Sequence, residues 1–142
     1  MQAVIAVLLI IFGVAAFVAV LRRRFVLATV MGFSMAPTLR PGDRLLVRRA
    51  SLSRLKVGDI VVVEPDARMA GPRPRSGYVI KRLAAVPGDL VPEHVPAPSN
   101  AQVPPGWMAL LGDNPDSSRD SRDYGLVTQT RLVGVVVRAI GT

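Results

Sequence analysis

A serine hydroxyl becomes a nucleophile only when a neighbouring base takes its proton, and this chain offers few bases. The serine that stands out is Ser34, in the run Gly32-Phe33-Ser34-Met35-Ala36-Pro37-Thr38-Leu39. There is no cysteine and one histidine. That histidine, His94, falls in Val91-Pro92-Glu93-His94-Val95-Pro96, a proline-rich stretch that reads as a loop and not as a rigid platform. Arginine stays protonated at any working pH. Of the eighteen basic residues only Lys56 and Lys81 are lysines, so lysine leads among the bases. Lys56 precedes a Val-Gly-Asp turn and reads as exposed. Lys81 lies in Tyr78-Val79-Ile80-Lys81-Arg82, where alternation puts Val79, Leu83 and Ala85 on its side of a strand and Ile80 and Arg82 on the other. An ordinary lysine has a pKa of about 10.4. Apolar surroundings penalise the ammonium and can move that value down by several units, which is what a general base needs.

A chain of 142 residues is one domain's worth, less what a membrane takes. Gln2 to Leu21 carries no charge, and a helix of twenty residues reaches roughly 30 Å, the thickness of a bilayer's hydrocarbon. The positive residues, Arg22-Arg23-Arg24, come after the apolar run, whereas a cleavable export signal has them before a shorter one. Residues 1–24 therefore read as a retained transmembrane anchor with a basic flank, and 25–142 as the domain it carries. From Phe25 the chain reads as short strands broken by turns. The strands are Phe25 to Met31, Arg44 to Arg48, Ile60 to Val63, Tyr78 to Val86, Trp107 to Leu111 and Leu132 to Ile140. The stretches Glu64 to Gly77 and Pro92 to Gly106, both rich in proline, read as exposed loops. The expected fold is a mostly β, antiparallel domain on one N-terminal transmembrane helix.

The formal charge of +8 fits anionic lipid head groups or nucleic acid. No helix-turn-helix, zinc-finger or stacking-aromatic pattern accompanies it, so membrane lipid is the expected partner and nucleic acid is not. Without cysteine there is no disulfide scaffold, thiol nucleophile or thiolate zinc site. The polar run Asp113 to Asp120 could suggest a calcium loop. It lacks the glycine at the sixth position and the glutamate at the twelfth, so neither a metal nor another cofactor is expected.

Four segments in order resemble the boxes of type I signal peptidases. Gly32 to Leu39 is similar to their serine box, Ser-Met-x-Pro-Thr-Leu. Gly58-Asp59-Ile60-Val61-Val62 resembles their Gly-Asp-Ile/Val-Val strand, and Tyr78 to Leu83 with Pro87-Gly88-Asp89 their lysine box. Leu111-Gly112-Asp113-Asn114 through Ser118, Asp120, Ser121 and Arg122 to Gly125 resembles their last box. The resemblance covers roughly residues 20 to 142. It implies a membrane-bound serine endopeptidase with Ser34 as nucleophile and Lys81 as general base, acting on the signal peptides of exported precursor proteins, or on one dedicated precursor, after small residues. It further implies that Ser118 orients the Lys81 amine, that Asp120 and Arg122 form an ion pair fixing the loop, and that Asp113 adds charge contacts. Met35, Leu39 and Ile80 would line an apolar pocket for a small residue; ordinary core packing is an equally natural use of all three.

The chain departs from better-studied members of that family at several places. Gly32 stands where some members have a serine that helps hold the oxyanion, which leaves the Ser34 N–H as the main donor. Phe33 is bulkier than the small residue often found before the nucleophile. Only thirty residues separate Lys81 from Gly112, so a large accessory domain is absent between them. Positive-inside logic would put Arg22 to Arg24, and the domain with them, in the cytoplasm. The resemblance implies instead a single-pass plasma-membrane protein with its domain on the extracytoplasmic face. A different class of function is a catalytically silent, membrane-anchored β-module that binds extended peptides or anionic lipid; the two part company at Ser34 and Lys81.

Overall fold

The computed structural model describes residues 1–70 and 77–141. Its first element, α1 (Gln2–Arg24), has a mean hydropathy of 3.2 in its most apolar window and is long and apolar enough to cross a membrane. None of its residues is buried against the rest of the chain. The helix runs past Leu21 to include all three arginines, whose charges face the negative end of the helix dipole. It stops at Phe25, which is already extended (φ −127°, ψ 150°) because it opens the first strand and pairs across to Arg48.

Among the described residues seven strands form one antiparallel sheet: β1 (Phe25–Thr29), β2 (Arg44–Arg49), β3 (Ile60–Val63), β4 (Val79–Ala85), β5 (Trp107–Leu111), β6 (Val127–Thr128) and β7 (Leu132–Gly141). Their order is β1-β2-β7-β3-β4-β5-β6, so the last and longest strand enters between β2 and β3 and joins the two halves. The expected strands are present with ends within a residue or two. β6 was not anticipated: two residues are too short for an alternating pattern to declare itself.

The turns carry the chemistry their residues suggested. In Lys56-Val57-Gly58-Asp59 the Asp59 carboxylate accepts the Lys56 N–H at 2.9 Å, and Gly58 takes φ 99°, a region that favours glycine. The Gly58 N–H then donates to the Leu83 carbonyl, and the Leu83 N–H to that of Asp59, which seats the start of β3 against the strand bearing Lys81. The Glu64 to Gly77 stretch is not all loop. Asp66 accepts the backbone N–H groups of Arg68 and Met69 and starts a single helical turn, α2 (Ala67–Ala70). The remainder of that stretch, 71–76, lies outside the described residues. Pro92 to Gly106 is irregular and closed at its base by a Leu90–Gln102 bridge; His94 is exposed there at φ 70°.

Core packing follows the period of two. Neighbours Val61 and Val62 go to opposite sides: Val62 joins Ala28, Leu45, Val47 and Ile80, whereas Val61 joins Val63, Leu83, Met108 and Leu110. On β4 the same alternation sends Ile80 to the first cluster and Val79 and Leu83 to the second.

Candidate active site

The Ser34 segment bridges β1 and β2. Its ends are closed by Val30 N–H to Asp43 O and Gly42 N–H to Val30 O, each 2.9 Å. Inside, Ala36 N–H reaches the Phe33 carbonyl at 3.0 Å and Leu39 N–H the Met35 carbonyl at 2.9 Å, so the segment coils tightly. Met35 and Leu39, 1% and 5% exposed, root it in the first core cluster, while Ser34 stays partly open to solvent. The third residue expected at a substrate pocket, Ile80, is 7% exposed and belongs to the same cluster. All three pack as core beneath the serine.

Four contacts tie this segment to the loop after β5. Asn114 donates twice to consecutive carbonyls, from its N–H to Ser34 O at 3.0 Å and from Nδ2 to Phe33 O at 3.1 Å. Thr38 Oγ1 donates to Asp113 at 2.6 Å. The fourth contact is a close approach at Gly112, where a built Cβ would lie 2.7 Å from the Ser34 carbonyl oxygen and 2.5 Å from Ser118 Cβ. Gly112 is needed here for its missing side chain, which lets three backbone segments meet.

The same glycine leads to Lys81. Arg82 pairs with Leu111 across β4 and β5, and continuing that register by one residue sets Gly112 across from Lys81. Lys81 is 4% exposed, with Val79 and Leu83 sharing its side of the strand. Arg82 faces the other way. It grips Asp113 with Nε at 2.8 Å and Nη2 at 2.6 Å, and its Nη1 donates to the Gly58 carbonyl at 2.7 Å. Hydrogen bonding from the Arg82 guanidinium holds the Asp113 carboxyl below its usual value, and the Thr38 hydroxyl adds to this.

Asp120 is the hub of the second half of the site. It is fully buried, and its carboxylate accepts from Ser118 Oγ (2.6 Å), Gly112 N–H (2.7 Å), Arg122 Nη2 (2.6 Å), Arg122 Nε (2.9 Å) and Arg122 N–H (3.1 Å). Burial alone would raise its pKa. The hydrogen bonds, led by that from Arg122, outweigh burial and bring it down to about 2. Asp120 also caps α3 (Ser121–Tyr124), and Asp123 reaches back to the Asp120 N–H at 2.9 Å to complete a capping box. Ser121 Oγ accepts the buried Leu110 N–H at 2.9 Å, which fastens the helix to β5. At the far end of α3 the Tyr124 hydroxyl is buried with no hydrogen-bond partner among the described residues.

Sequence reasoning named Ser34, Lys81, Ser118, Asp120, Arg122 and Asp113, and these residues lie on segments that meet around Gly112. It met Gly112, Asn114, Thr38 and Arg82 within the same motifs but gave them no role of their own. The spacing Asp120-x-x-Asp123 was a readable signal for the cap. Nothing local announces the two donations of Asn114, because their acceptors lie eighty residues away. Among the described residues no group of three or more His, Cys, Asp or Glu is placed to hold a metal ion.

The chain is similar to known proteins along most of its length. The family model described as "Signal peptidase, peptidase S26" matches residues 2–94 and 92–140. "Probable signal peptidase I-1" of Synechocystis sp. is 32% identical over 71% of this chain and 63% of its own length. "Mitochondrial inner membrane protease subunit 1" of Xenopus tropicalis is 35% identical over 72% of this chain and 61% of its own. "Signal peptidase I T" of Bacillus subtilis is 31% identical over 85% and 77%. The chain spans less than two thirds of the length of the first two of these curated relatives. The family model nonetheless runs through the serine segment, the Lys81 strand and the Asp113–Arg122 loop alike, and on that match the chain belongs to the signal peptidase, peptidase S26, family.

Proposed function

We propose that this chain is a membrane-anchored serine endopeptidase that cleaves signal peptides, or one dedicated precursor, after small residues, with Ser34 and Lys81 as a dyad. The observation that carries the reading is Lys81 itself: a lysine 4% exposed, on the strand position across from the glycine against which Ser34 packs. A core lysine of this kind is costly to keep charged, and chemistry that needs a neutral amine gives it a use.

In this mechanism Ser34 Oγ attacks the scissile carbonyl while the Lys81 amine takes its proton. The Ser34 N–H donates to the oxyanion that forms. Collapse expels the new N-terminal amine, which takes the proton back from Lys81, and leaves an ester on Ser34. Water, giving a proton to Lys81, then attacks that ester; Lys81 returns the proton to Ser34 Oγ as it leaves, and the product departs as a carboxylic acid that ionises in solvent. Ser118, Asp120 and Arg122 keep the Lys81 end of the site in register, and Asp113 with Arg82 and Thr38 does so for the serine segment. Met35, Leu39 and Ile80 form the floor on which the substrate side chain rests. A floor already packed at 1%, 5% and 7% exposure leaves no deep hollow, which fits small residues. Exported precursors bring such residues to the extracytoplasmic face of the plasma membrane, where the domain would sit.

The test uses the full chain in detergent or lipid and a peptide whose apolar stretch ends in Ala-x-Ala. Ser34→Ala and Lys81→Met should each abolish cleavage while the unfolding transition stays cooperative. Wild-type activity should rise with pH as the base is deprotonated. Undiminished turnover in either variant refutes the dyad, and a rate flat through the alkaline range argues against a lysine base.

A further inference from the structure

Two consecutive peptide groups meet at Ser34, and Asn114 donates to the carbonyl of each. Its Nδ2 reaches Phe33 O at 3.1 Å and its N–H reaches Ser34 O at 3.0 Å. The Phe33 carbonyl and the Ser34 N–H are the two ends of one planar peptide, so a donor at one end polarises the other. That carbonyl also accepts the Ala36 N–H at 3.0 Å, which occupies both of its lone pairs. The orientation of the amide is fixed as well: a carbonyl can only accept, so Nδ2 and not Oδ1 faces it.

Asn114 is itself held from both directions. Asp113 before it is gripped by Arg82 and Thr38. After it comes a short 3-10 turn, Pro115–Ser117, in which the Asn114 carbonyl accepts the Ser117 N–H at 3.1 Å. The side-chain amide therefore extends from a backbone that is fixed on either side. Gly32, two residues before the nucleophile, has no side chain that could add a donor. More of the work then falls on the Ser34 N–H.

We propose that Asn114 is a positioning residue for the oxyanion: by bonding to both carbonyls that flank Ser34, it aims the Ser34 N–H and makes it a stronger donor. This role rests on the dyad reading, in which that N–H receives the negative charge. Lys81 still takes and returns the Ser34 proton, and Asn114 neither gains nor loses one. The polarised peptide acts as the scissile carbonyl oxygen becomes negative, so its effect falls on the transition state and not on substrate binding. Losing an oxyanion donor outright costs about a hundredfold to a thousandfold in kcat, and one hydrogen bond strengthens the next by about 10–30%. Polarisation alone is then worth about two- to eightfold in kcat.

The full chain in detergent is tested in two assays. One is cleavage of a peptide whose apolar stretch ends in Ala-x-Ala. The other is inhibition by the matching peptide aldehyde, whose adduct with Ser34 puts an oxygen where the oxyanion forms. Asn114→Ala should lower kcat by about two- to eightfold and raise the aldehyde Ki by a similar factor, with KM little changed. Asn114→Asp keeps the shape but sets a carboxylate oxygen against the Phe33 oxygen, so it should lose more in both assays. KM and Ki rising together would overturn the proposal, because a merely structural role weakens ground-state binding as well. An Asn114→Asp enzyme as active as wild type would overturn it too. A wild-type chain that leaves the peptide uncut, or a Ser34→Ala chain that cuts it, would end the dyad reading and this role with it. A dyad-dependent wild type beside unaltered Asn114 variants would end this role alone.

Discussion

Gly112→Ala is the sharpest perturbation this fold offers. The backbone at Gly112 is not in the left-handed region, so alanine brings no strain of its own and the effect is purely one of space. Its methyl would sit 2.7 Å from the Ser34 carbonyl oxygen and 2.5 Å from Ser118 Cβ, and closer still to Ser118 Oγ. Comfortable separations are about 3.5–4.0 Å, so something must move by roughly an ångström. Forcing a methyl into packed surroundings of this kind costs about 1–3 kcal/mol, or several degrees of Tm in a domain this size. The larger effect falls on turnover. The atoms that must yield are those of Ser34 and of Ser118, and a displacement of about 1 Å in a reacting group can lower a rate about a hundredfold. Gly32→Ala is the control: a Cβ there meets nothing within 4 Å, two residues from the same serine. Peptide cleavage and thermal unfolding are measured on both variants. Gly112→Ala should lose one to two orders of magnitude in kcat, whereas Gly32→Ala should stay close to wild type in stability. A Gly112→Ala enzyme with unaltered kcat and Tm would show that these segments do not meet as described.

Asp120 gives a pH signature. Its folded pKa of about 2 lies below the ordinary 3.8, so its contribution is full above about pH 4 and is lost as pH falls through the folded value. That shift corresponds to about 2 kcal/mol. Unfolding free energies at pH 6 and pH 3 should therefore converge in Asp120→Asn relative to wild type; the same pH dependence in both would contradict the hub. Arg82→Lys keeps the charge but cannot make the fork to Asp113 and also reach the Gly58 carbonyl. It should lower stability by about 1–2 kcal/mol by urea unfolding, and no loss would mean the fork is not formed. Asn114→Ala removes the donation to Phe33 O but keeps the backbone one to Ser34 O, and should reduce kcat severalfold with KM little changed. A change confined to KM would speak against a role in positioning Ser34.

β2 and β3 were legible because each opens after a Gly-Asp turn, Gly42-Asp43 before Arg44 and Gly58-Asp59 before Ile60, and the other long strands because their apolar runs are of ordinary length. The helix runs to Arg24, three residues beyond the uncharged stretch, because exposed arginines continue a helix as readily as leucines do; it stops where Phe25 pairs with Arg48. Within the site, residue types with distinctive chemistry could be picked out, as Ser34 and Lys81 were. Residues that act through shape or backbone could not. Gly112 matters for an absent Cβ and Asn114 for two distant carbonyls; the motif that contains them marks the place but not these roles. Asp120 was read as one half of an ion pair, yet it collects five donors from four groups on three residues, because folding brings the Gly112 amide and the Ser118 hydroxyl onto it.

The helix passes into β1 with no intervening residue, and nine positions later comes Ser34. Such a junction has no swivel. Nine residues reach at most about 30 Å, so the distance between the last helical turn and Ser34 is limited by covalent geometry and by the ladder to β2. On the proposed reading the molecule carries a built-in ruler: a peptide presented to Ser34 would expose its target bond at one height, and a few glycines spliced in after Arg24 would blur that scale while leaving the site intact.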